Sequence, residues 1–173
     1  MKKRRVFFAL TPDDQTQAAI YHQLVLTKKA LTNSKIRWIK KDNLHLTLCF
    51  IGSVNNATLT TLIDNAKQIQ FTEFSFQLDV SGYFKKPKII WLGCKEKNES
   101  LNSLATNIKN VAEDSGIPLG NPTFKPHITL ARNCNEKIPE LKMDPILWIV
   151  KHFCLMESIS VNEGVQYKVI HQF

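Results

Sequence analysis

The amino-acid sequence predicts an α+β protein made of two similar halves, each with an antiparallel sheet, a covering helix and one strand that carries a His-x-Thr motif. Alternating and helical hydrophobic patterns follow one another in the order β-α-β-β-α-β-β-α-β-β-β, which is not the regular alternation of a doubly wound fold. The phrase His-x-Thr-Leu occurs twice, 82 residues apart, within alternating runs. No linker rich in Pro, Gly or Ser separates the halves, so we expect one domain over residues 1–173.

The first half is predicted from a helix-start signal and from two alternating runs. Thr11 is a suitable N-cap, Pro12 suits the first helical position, and acidic residues follow in the first turn. Apolar residues then recur at helical spacing. The predicted elements are a strand over 4–10, a helix over 12–31, a short strand over 36–40, a strand over 44–51 closed by Gly52, and a helix over 59–69.

The second half begins with the clearest alternation in the chain, over 73–80, which is typical of a half-buried strand. A turn over 82–87 is expected to pair this strand with the next one in a hairpin. The further predicted elements are a strand over 88–94, a helix over 101–111 that ends near Gly116, a loop over 118–126, a strand over 127–132, and two final strands near 147–156 and 165–171.

The two His-x-Thr motifs put polar side chains on one face of each motif strand. In the first motif, His45 and Thr47 lie opposite the apolar residues of the strand, and in the second, His127 and Thr129 do so. Residues i and i+2 of a strand point the same way, about 7 Å apart. Two such strands facing each other would surround one small anion with two imidazoles and two hydroxyls. The pattern therefore predicts a catalytic site.

Paired histidines suit acid–base catalysis at a phosphate. Because imidazole titrates near neutrality, one neutral and one protonated ring can coexist at cellular pH. One ring can take a proton from a nucleophile while the other gives a proton to the leaving group. Threonine hydroxyls beside them can donate hydrogen bonds to phosphate oxygens. Residue chemistry alone leaves open which histidine is the acid and which is the base.

Other kinds of site have less support in the sequence. No third His, Cys or carboxylate stands at ligand spacing beside the motif histidines, so we expect no metal and no cofactor. There is no nucleophile elbow for acyl transfer and no glycine-rich phosphate loop. His22, His152 and His171 lack a comparable context and receive no chemical role.

Charge and cysteine usage bear on the partners and the compartment. The net charge of +8 and the pI near 9.4 favour a polyanionic partner such as nucleic acid. Four scattered cysteines without a C-x-x-C pair are typical of reduced thiols in the cytoplasm. The apolar stretch after the basic N-terminus is too short for a signal peptide, and no stretch is long enough to span a bilayer. We therefore expect a cytoplasmic protein without a membrane partner.

The motifs and their flanking residues resemble the two-histidine (2H) phosphoesterase superfamily, and specifically the RNA 2',3'-cyclic phosphodiesterases of bacteria and archaea, also called 2'-5' RNA ligases. The resemblance covers essentially the whole chain. Its most specific part is the pair of motifs with the Ala-Arg dipeptide after the second one. The residues that carry it are 5–10 (RVFFAL), Trp38, 43–48 (NLHLTL), 50–52 (FIG), 82–84 (GYF), 91–93 (WLG), 124–132 (FKPHITLAR) and 164–167 (GVQY).

The resemblance implies a bilobal, pseudo-symmetric fold with two antiparallel sheets and covering helices around a central cleft. It implies metal-independent hydrolysis of a terminal 2',3'-cyclic phosphate on RNA to a 2'-phosphomonoester, with reversible 2'-5' ligation as a further activity. In the roles it implies, His45 is the proton donor to the departing 3' oxygen and His127 is the proton acceptor that activates water. Thr47 and Thr129 would hold phosphate oxygens. The expected partners are RNA ends or oligonucleotides with a cyclic phosphate, bound by a monomer.

Two further residues are candidates for substrate binding. Arg132 matches the family's arginine, but strict alternation puts it on the face opposite His127, so it reaches a phosphate only if the strand bulges or twists. Aromatic side chains could stack on the terminal base. The aromatic candidates are Phe8, Phe50, Phe84, Trp91 and, as the preferred one, Phe124 in the loop before the second motif.

The sequence leaves two other functions open. An RNA-binding module with a vestigial catalytic pair would carry the same basic charge. A phosphodiesterase for another cyclic nucleotide, an ADP-ribose cyclic phosphate or a 2'-5' linked oligomer would use the same histidines and threonines. Turnover of cyclic phosphates, measured beside RNA binding, separates these alternatives.

Overall fold

The computed structural model describes residues 3–31, 35–120, 123–135, 143–162 and 164–173, so positions 121 and 122 of the predicted loop lie outside it. In the described ranges the chain forms ten strands, three α-helices and a short 3₁₀-helix, Lys41–Asn43. In chain order the others are β1 (Arg4–Leu10), α1 (Asp14–Ala30), β2 (Arg37–Trp38), β3 (Leu46–Val54), α2 (Asn56–Ala66), β4 (Phe74–Leu78), β5 (Val80–Phe84), β6 (Ile89–Gly93), α3 (Glu99–Asp114), β7 (His127–Arg132), β8 (Ile146–Val150), β9 (Cys154–Val161) and β10 (Gly164–Gln172).

Two antiparallel arms join in the middle of one long sheet. Its strand order is β10-β9-β1-β3-β7-β6-β5, with β2 added beside β7, and β4 and β8 form a separate two-stranded sheet within the described residues. The arms meet between β3 and β7 through the register pair Leu46 and Ile128. The predicted α+β fold with antiparallel sheets is therefore confirmed, and the predicted sheets of the two halves are continuous through the motif strands.

The predicted hairpin between segments 73–80 and 88–94 is wrong. The first segment is β4, which pairs with β8. β6 pairs instead with β5, whose residues 82–84 were predicted to be part of the turn. The chain changes sheet at Asp79, whose backbone N–H donates to the Gly93 carbonyl and whose carboxylate accepts from the Lys95 N–H at 2.7 Å. The buried side chains of β4 and β8 lie on the same face: Phe76 is paired with Trp148, and their ring centroids are 5.2 Å apart.

The first helix begins later than its start signal predicts. Asp13, not Thr11, is the N-cap, and its carboxylate accepts a hydrogen bond from the Thr16 N–H at 2.8 Å. The Thr11 hydroxyl lies 3.2 Å from His152 Nε2, so it bonds a distant side chain and not the first turn of the helix. Gly52 likewise does not close its strand. It lies within β3 at φ +90°, beside an irregularity in the register with β1 that the positive φ accommodates.

The helices cover the apolar faces of the sheets. α3 packs on β3 and against α2, and α1 packs on β8. Helix α3 turns its fully buried Leu101 and Ile108 toward a core to which β1, β3, β6 and β7 also contribute. None of the helices in the described ranges combines the length and the apolarity needed to cross a membrane.

A glycine in β5 makes room for an indole. Gly82 lies opposite Trp91 in the β5–β6 register, and a Cβ atom at this position would overlap the Trp91 ring. The Trp91 ring also contacts a second aromatic ring: Phe84 stacks on it with ring centroids 5.0 Å apart. The indole is thus held between the backbone of β5 and a second ring.

We expect Gly82→Ala to lower the free energy of unfolding by about 1–3 kcal/mol, because the added methyl group forces the packed indole or the strand to move. Ser81→Ala, on the same strand, is the matched control and should change it by less than about 0.5 kcal/mol. Urea denaturation followed by circular dichroism measures both. Equal stability of the two variants would contradict the close packing of Trp91 on Gly82.

Candidate active site

The four polar residues of the two motifs lie on one face of the sheet where its arms join. Leu46 and Ile128 are paired across the junction and are fully buried in the core. Neighbouring residues of a strand point to opposite faces, so the histidine and threonine on either side of each buried residue share the other face. Extending the antiparallel register by one residue puts His45 beside Thr129, and Thr47 beside His127. Directly opposite residues have Cβ atoms about 4.5–5.5 Å apart.

The imidazole of His45 is held at both nitrogens. Its Nδ1 lies 2.7 Å from the Asn43 carbonyl oxygen, and its Nε2 lies 3.1 Å from the Thr47 hydroxyl. A carbonyl oxygen can only accept, so Nδ1 carries the hydrogen and donates it. In the neutral ring, Nε2 is therefore the acceptor, and the Thr47 hydroxyl donates to it. This tautomer leaves Nε2 as the nitrogen that exchanges protons on the motif face.

His127 is held by the same device. Its Nδ1 donates to the Lys125 carbonyl oxygen, also two residues upstream and also at 2.7 Å. Both histidines thus have the same tautomer and present Nε2 as the basic atom. Because any residue type supplies a backbone carbonyl, the identity of the residue two positions before each histidine does not reveal this bond in the sequence.

Aromatic rings pack against both imidazoles. The rings of Phe7 and Tyr167 have centroids 5.0 and 4.8 Å from that of His45. Phe84 meets His127 edge-to-face at 5.1 Å and is itself stacked on Trp91. These contacts exclude water from one side of each imidazole and restrict its rotation. Phe7 and Tyr167 were not predicted from the sequence as neighbours of the site, although both belong to segments that carry the family resemblance.

Arg132 reaches the motif face because β7 bulges. Ile90 pairs with Ala131 but the next residue, Trp91, pairs with Thr129, so Leu130 is an extra residue in β7. Leu130 and Ala131 are both fully buried, which breaks the alternation and returns Arg132 to the side of the histidines. The sequence predicted that Arg132 could reach a phosphate only if the strand bulged or twisted, and β7 has such a bulge. Its positive charge lowers the pKa of both His45 and His127.

Burial keeps both imidazoles neutral. Removal from water lowers the pKa of His45 to about 4, against the opposing effect of the Asn43 carbonyl, and the charges of Arg132 and His127 lower it further. Burial also lowers the pKa of His127, against the Lys125 carbonyl and with a further contribution from Arg132. At pH 7 both rings of the ligand-free protein are therefore mainly neutral. A neutral ring beside a protonated one is therefore not the main form of the ligand-free protein at pH 7.

A cavity of about 810 Å³ opens beside His127 and Thr47. Among its lining residues are Phe50, which is 65% exposed, Phe84 and Phe124. Of the other aromatic candidates, Phe8 is fully buried in the core and Trp91 lies behind Phe84. Four lysines also line the cavity: Lys85, Lys86, Lys109 and Lys125. The cavity therefore combines ring faces with positive charge next to the motif residues.

Comparison with known proteins agrees with this geometry. The family described as LigT like Phosphoesterase matches residues 11–91. The whole fold is similar to the crystal structure of Escherichia coli LigT in its apo form, with a TM-score of 0.88, 28% sequence identity, and coverage of 100% of this chain and 98% of that one. The chain is therefore similar to LigT-like phosphoesterases in part of its sequence and in its whole fold. The predicted resemblance to two-histidine phosphoesterases is confirmed.

Two further comparisons give similar proteins from Escherichia coli. The RNA 2',3'-cyclic phosphodiesterase of Escherichia coli (strain K12) is 35% identical over 102 residues, a match that covers 59% of this chain and 58% of the relative's length. A crystal structure of Escherichia coli LigT complexed with 3'-AMP gives a TM-score of 0.88 at 28% identity, over 99% of this chain and 98% of that one.

The other three histidines of the chain lie away from the motif face. His22 lines a separate cavity between α1 and β8, His152 contacts Thr11, and His171 packs on Phe173 with ring centroids 4.6 Å apart. Among the described residues, no group of three or more His, Cys, Asp or Glu side chains is arranged to hold a metal ion.

We expect inorganic phosphate to raise the pKa of His45 from its value of about 4, because an anion between the motifs favours the protonated imidazole. The free ring is neutral down to about pH 4, so the shift extends its protonated form toward neutral pH. NMR titration of the ring protons with and without phosphate measures the change. The exposed His22 ring on α1 is the internal control, and an unmoved His45 titration at saturating phosphate would contradict anion binding at the motifs.

Arg132→Met should raise the pKa of both motif histidines, because the lost guanidinium charge is one of the causes that lower them. Arg5→Met removes the same charge from an exposed position on β1 and is the matched control. The same NMR titration gives both values. A fall in either pKa, or an equal change in the Arg5→Met variant, would mean that Arg132 does not act locally on the site.

Proposed function

We propose that this protein hydrolyses the 2',3'-cyclic phosphate at RNA ends to a 2'-phosphomonoester by metal-independent acid–base catalysis. The observation that carries the proposal is the pairing of two imidazoles on one face of the sheet junction, each with Nδ1 bonded to a carbonyl and Nε2 left for proton transfer. An in-line displacement at phosphorus needs a base and an acid on opposite sides of the phosphate, and the two neighbouring motif strands present one imidazole each for these roles. The names of the relatives agree with this reaction.

The proposed reaction moves one proton at each histidine. Nε2 of neutral His127 takes a proton from water as the water oxygen forms a bond to phosphorus. The bond from phosphorus to the 3' oxygen breaks, and this oxygen takes a proton from Nε2 of protonated His45. The product keeps its phosphate on the 2' oxygen. The assignment of donor and acceptor rests on the family resemblance and not on the distances.

The low pKa of His45 bears on the donor role. A protonated ring with a pKa of about 4 is a strong acid, but it is scarce in the free protein at neutral pH. A phosphate anion beside it favours protonation. We therefore infer that the ring gains its proton together with the substrate anion. His127, neutral at pH 7, is already in the form that a general base needs.

Thr47, Thr129 and Arg132 are proposed to hold the non-bridging phosphate oxygens. Both hydroxyls lie on the motif face, one strand apart, and the Arg132 charge acts on both imidazoles. Thr47 donates to His45 Nε2 when the ring is neutral. Once that nitrogen is protonated, the Thr47 hydroxyl is released to donate to a phosphate oxygen. Hydrogen bonds to developing charge in a partly buried site stabilise the transition state.

The terminal nucleoside is proposed to occupy the cavity beside His127. Phe124, Phe50 and Phe84 offer ring faces for a base, and base–aromatic stacking contributes about 1–3 kcal/mol per base. The lining lysines suit the phosphates of a longer RNA chain. The solved complex of Escherichia coli LigT with 3'-AMP supports a nucleotide as the ligand of this fold. We further infer a single domain over 1–173, acting as a cytoplasmic monomer.

His45→Ala and His127→Ala should each lower turnover of an oligonucleotide with a 2',3'-cyclic phosphate end by about 10²–10⁴-fold, the usual contribution of one acid–base group. His22→Ala is the matched control and should keep full activity, as should a wild-type sample treated with EDTA. Chromatography of the products against 2'- and 3'-phosphate standards measures rate and position together. RNA binding without turnover in the wild type would favour a binding module. Turnover of free cyclic nucleotides, without turnover of the oligonucleotide, would indicate that the substrate is a cyclic nucleotide and not an RNA end.

A further inference from the structure

Asn43 lies directly before the first motif strand, and its side chain is tied to a distant strand. The amide nitrogen donates to the Val165 carbonyl oxygen at 2.7 Å. The amide oxygen accepts from the Tyr167 N–H at 3.1 Å. One side chain therefore bonds both backbone groups of β10 that flank position 166.

These two bonds imitate a strand ladder. The carbonyl of residue i and the N–H of residue i+2 point to the same side of a strand, where a neighbouring strand would bond them. β10 is the end strand of its arm and lies three places from β3 in the strand order. Asn43, three residues before β3, reaches β10 because the arm curls back on itself. Asn43 thus closes this arm with a single side chain.

The same residue holds His45 from two directions. Its backbone carbonyl accepts the hydrogen bond from His45 Nδ1. The strand that its side chain grips carries Tyr167, whose ring meets the His45 ring at 77° with centroids 4.8 Å apart. Phe7 completes this enclosure, 5.0 Å from His45 and 5.2 Å from Tyr167. Any rotation of the Asn43 peptide moves the acceptor of Nδ1 and loosens the strand behind the imidazole.

The second motif is supported differently. The residue equivalent to Asn43 is Lys125, whose side chain lines the cavity beside His127, while the ring contact comes from Phe84 of β5. The carbonyl bond to Nδ1 is therefore common to both motifs, and the clamp on a remote strand belongs to the first. Asn43 does not use its side chain to cap a helix end, as asparagine often does. Its amide nitrogen and oxygen both bond the backbone of β10.

We propose that Asn43 is the positioning residue of His45: by clamping β10 with its amide it fixes its own carbonyl and the Tyr167 ring, and so sets the tautomer and direction of the imidazole. The kinetic consequence rests on the proposed phosphodiesterase activity. The structural consequence does not, since the tautomer of His45 exists without substrate. Asn43 acts through His45 and is not assigned contact with the phosphate.

The test compares Asn43→Ala with Gln166→Ala. Gln166 is exposed and lies between the two clamped residues of β10, so its truncation leaves both backbone bonds in place. In Asn43→Ala the backbone carbonyl remains but its restraint is lost. We expect the nitrogen NMR signals of His45, recorded above pH 7, to shift from pure Nδ1–H toward a mixture of tautomers, while those of His127 stay unchanged.

Kinetics on a cyclic-phosphate oligonucleotide provide the second readout. We expect kcat of Asn43→Ala to fall by up to about 10²-fold, the scale of a small misplacement of a catalytic group, with KM little changed. Asn43→Asp keeps the acceptor for the Tyr167 N–H and loses the donor to Val165, so its kcat should fall between those of Ala and wild type. Gln166→Ala should match the wild type in both readouts.

Unchanged tautomers and unchanged kcat in Asn43→Ala would overturn the proposal. So would equal disturbance of His45 and His127, since that indicates a general loss of structure. If Asn43→Ala does not fold, Asn43→Asp decides by the same tautomer measurement. If the wild type turns over no cyclic phosphate, the proposed function fails, and the tautomers of His45 still decide the role of Asn43.

Discussion

The site depends on one contact, the pairing of β3 with β7 through Leu46 and Ile128. Both side chains are fully buried, and their burial in the common core fixes the faces of the two strands relative to each other. A slip of one residue in either strand would turn its histidine and threonine into the core and bring apolar residues onto the motif face. The cost of burying unpaired polar groups makes this register much more stable than its neighbours. Hydrophobic packing thus determines where the chemistry lies.

Both motif histidines are partly or largely buried, and a hydrogen bond from Nδ1 to a backbone carbonyl fixes the tautomer of each ring. Burial lowers the pKa of each ring, and the carbonyl two residues upstream partly opposes it by accepting the Nδ1 hydrogen. The aromatic rings beside them contribute to this burial without adding charge. An anion entering this setting meets Arg132 and two imidazoles that can still take up a proton. The arrangement therefore responds to negative charge more strongly than an exposed histidine pair would.

The two halves repeat the motif but not its support. On the first side, His45 lies between Phe7 and Tyr167, and Asn43 ties the arm together. On the second, His127 contacts Phe84, which rests on Trp91 above Gly82, and the wide basic cavity opens here. A symmetric pair of motifs thus sits in an asymmetric surrounding. In the proposed function, that asymmetry gives a bound nucleotide one direction, with its base on the His127 side.

The sequence by itself determined the α+β class, the motif strands and the four side chains of the motif face, because period-2 alternation is local and survives in any packing. It also indicated that Arg132 needs a bulge, but not that Leu130 provides it, since a bulge depends on the partner strand. Tertiary structure alone decided the pairing of β4 with β8, the capping of α1 by Asp13, the neutral state of both imidazoles and the approach of Asn43 to β10. Apart from the Asp13 cap, which bonds the N–H three residues on, these features depend on groups far apart in the chain, and their energies come from burial and contacts that no local pattern records.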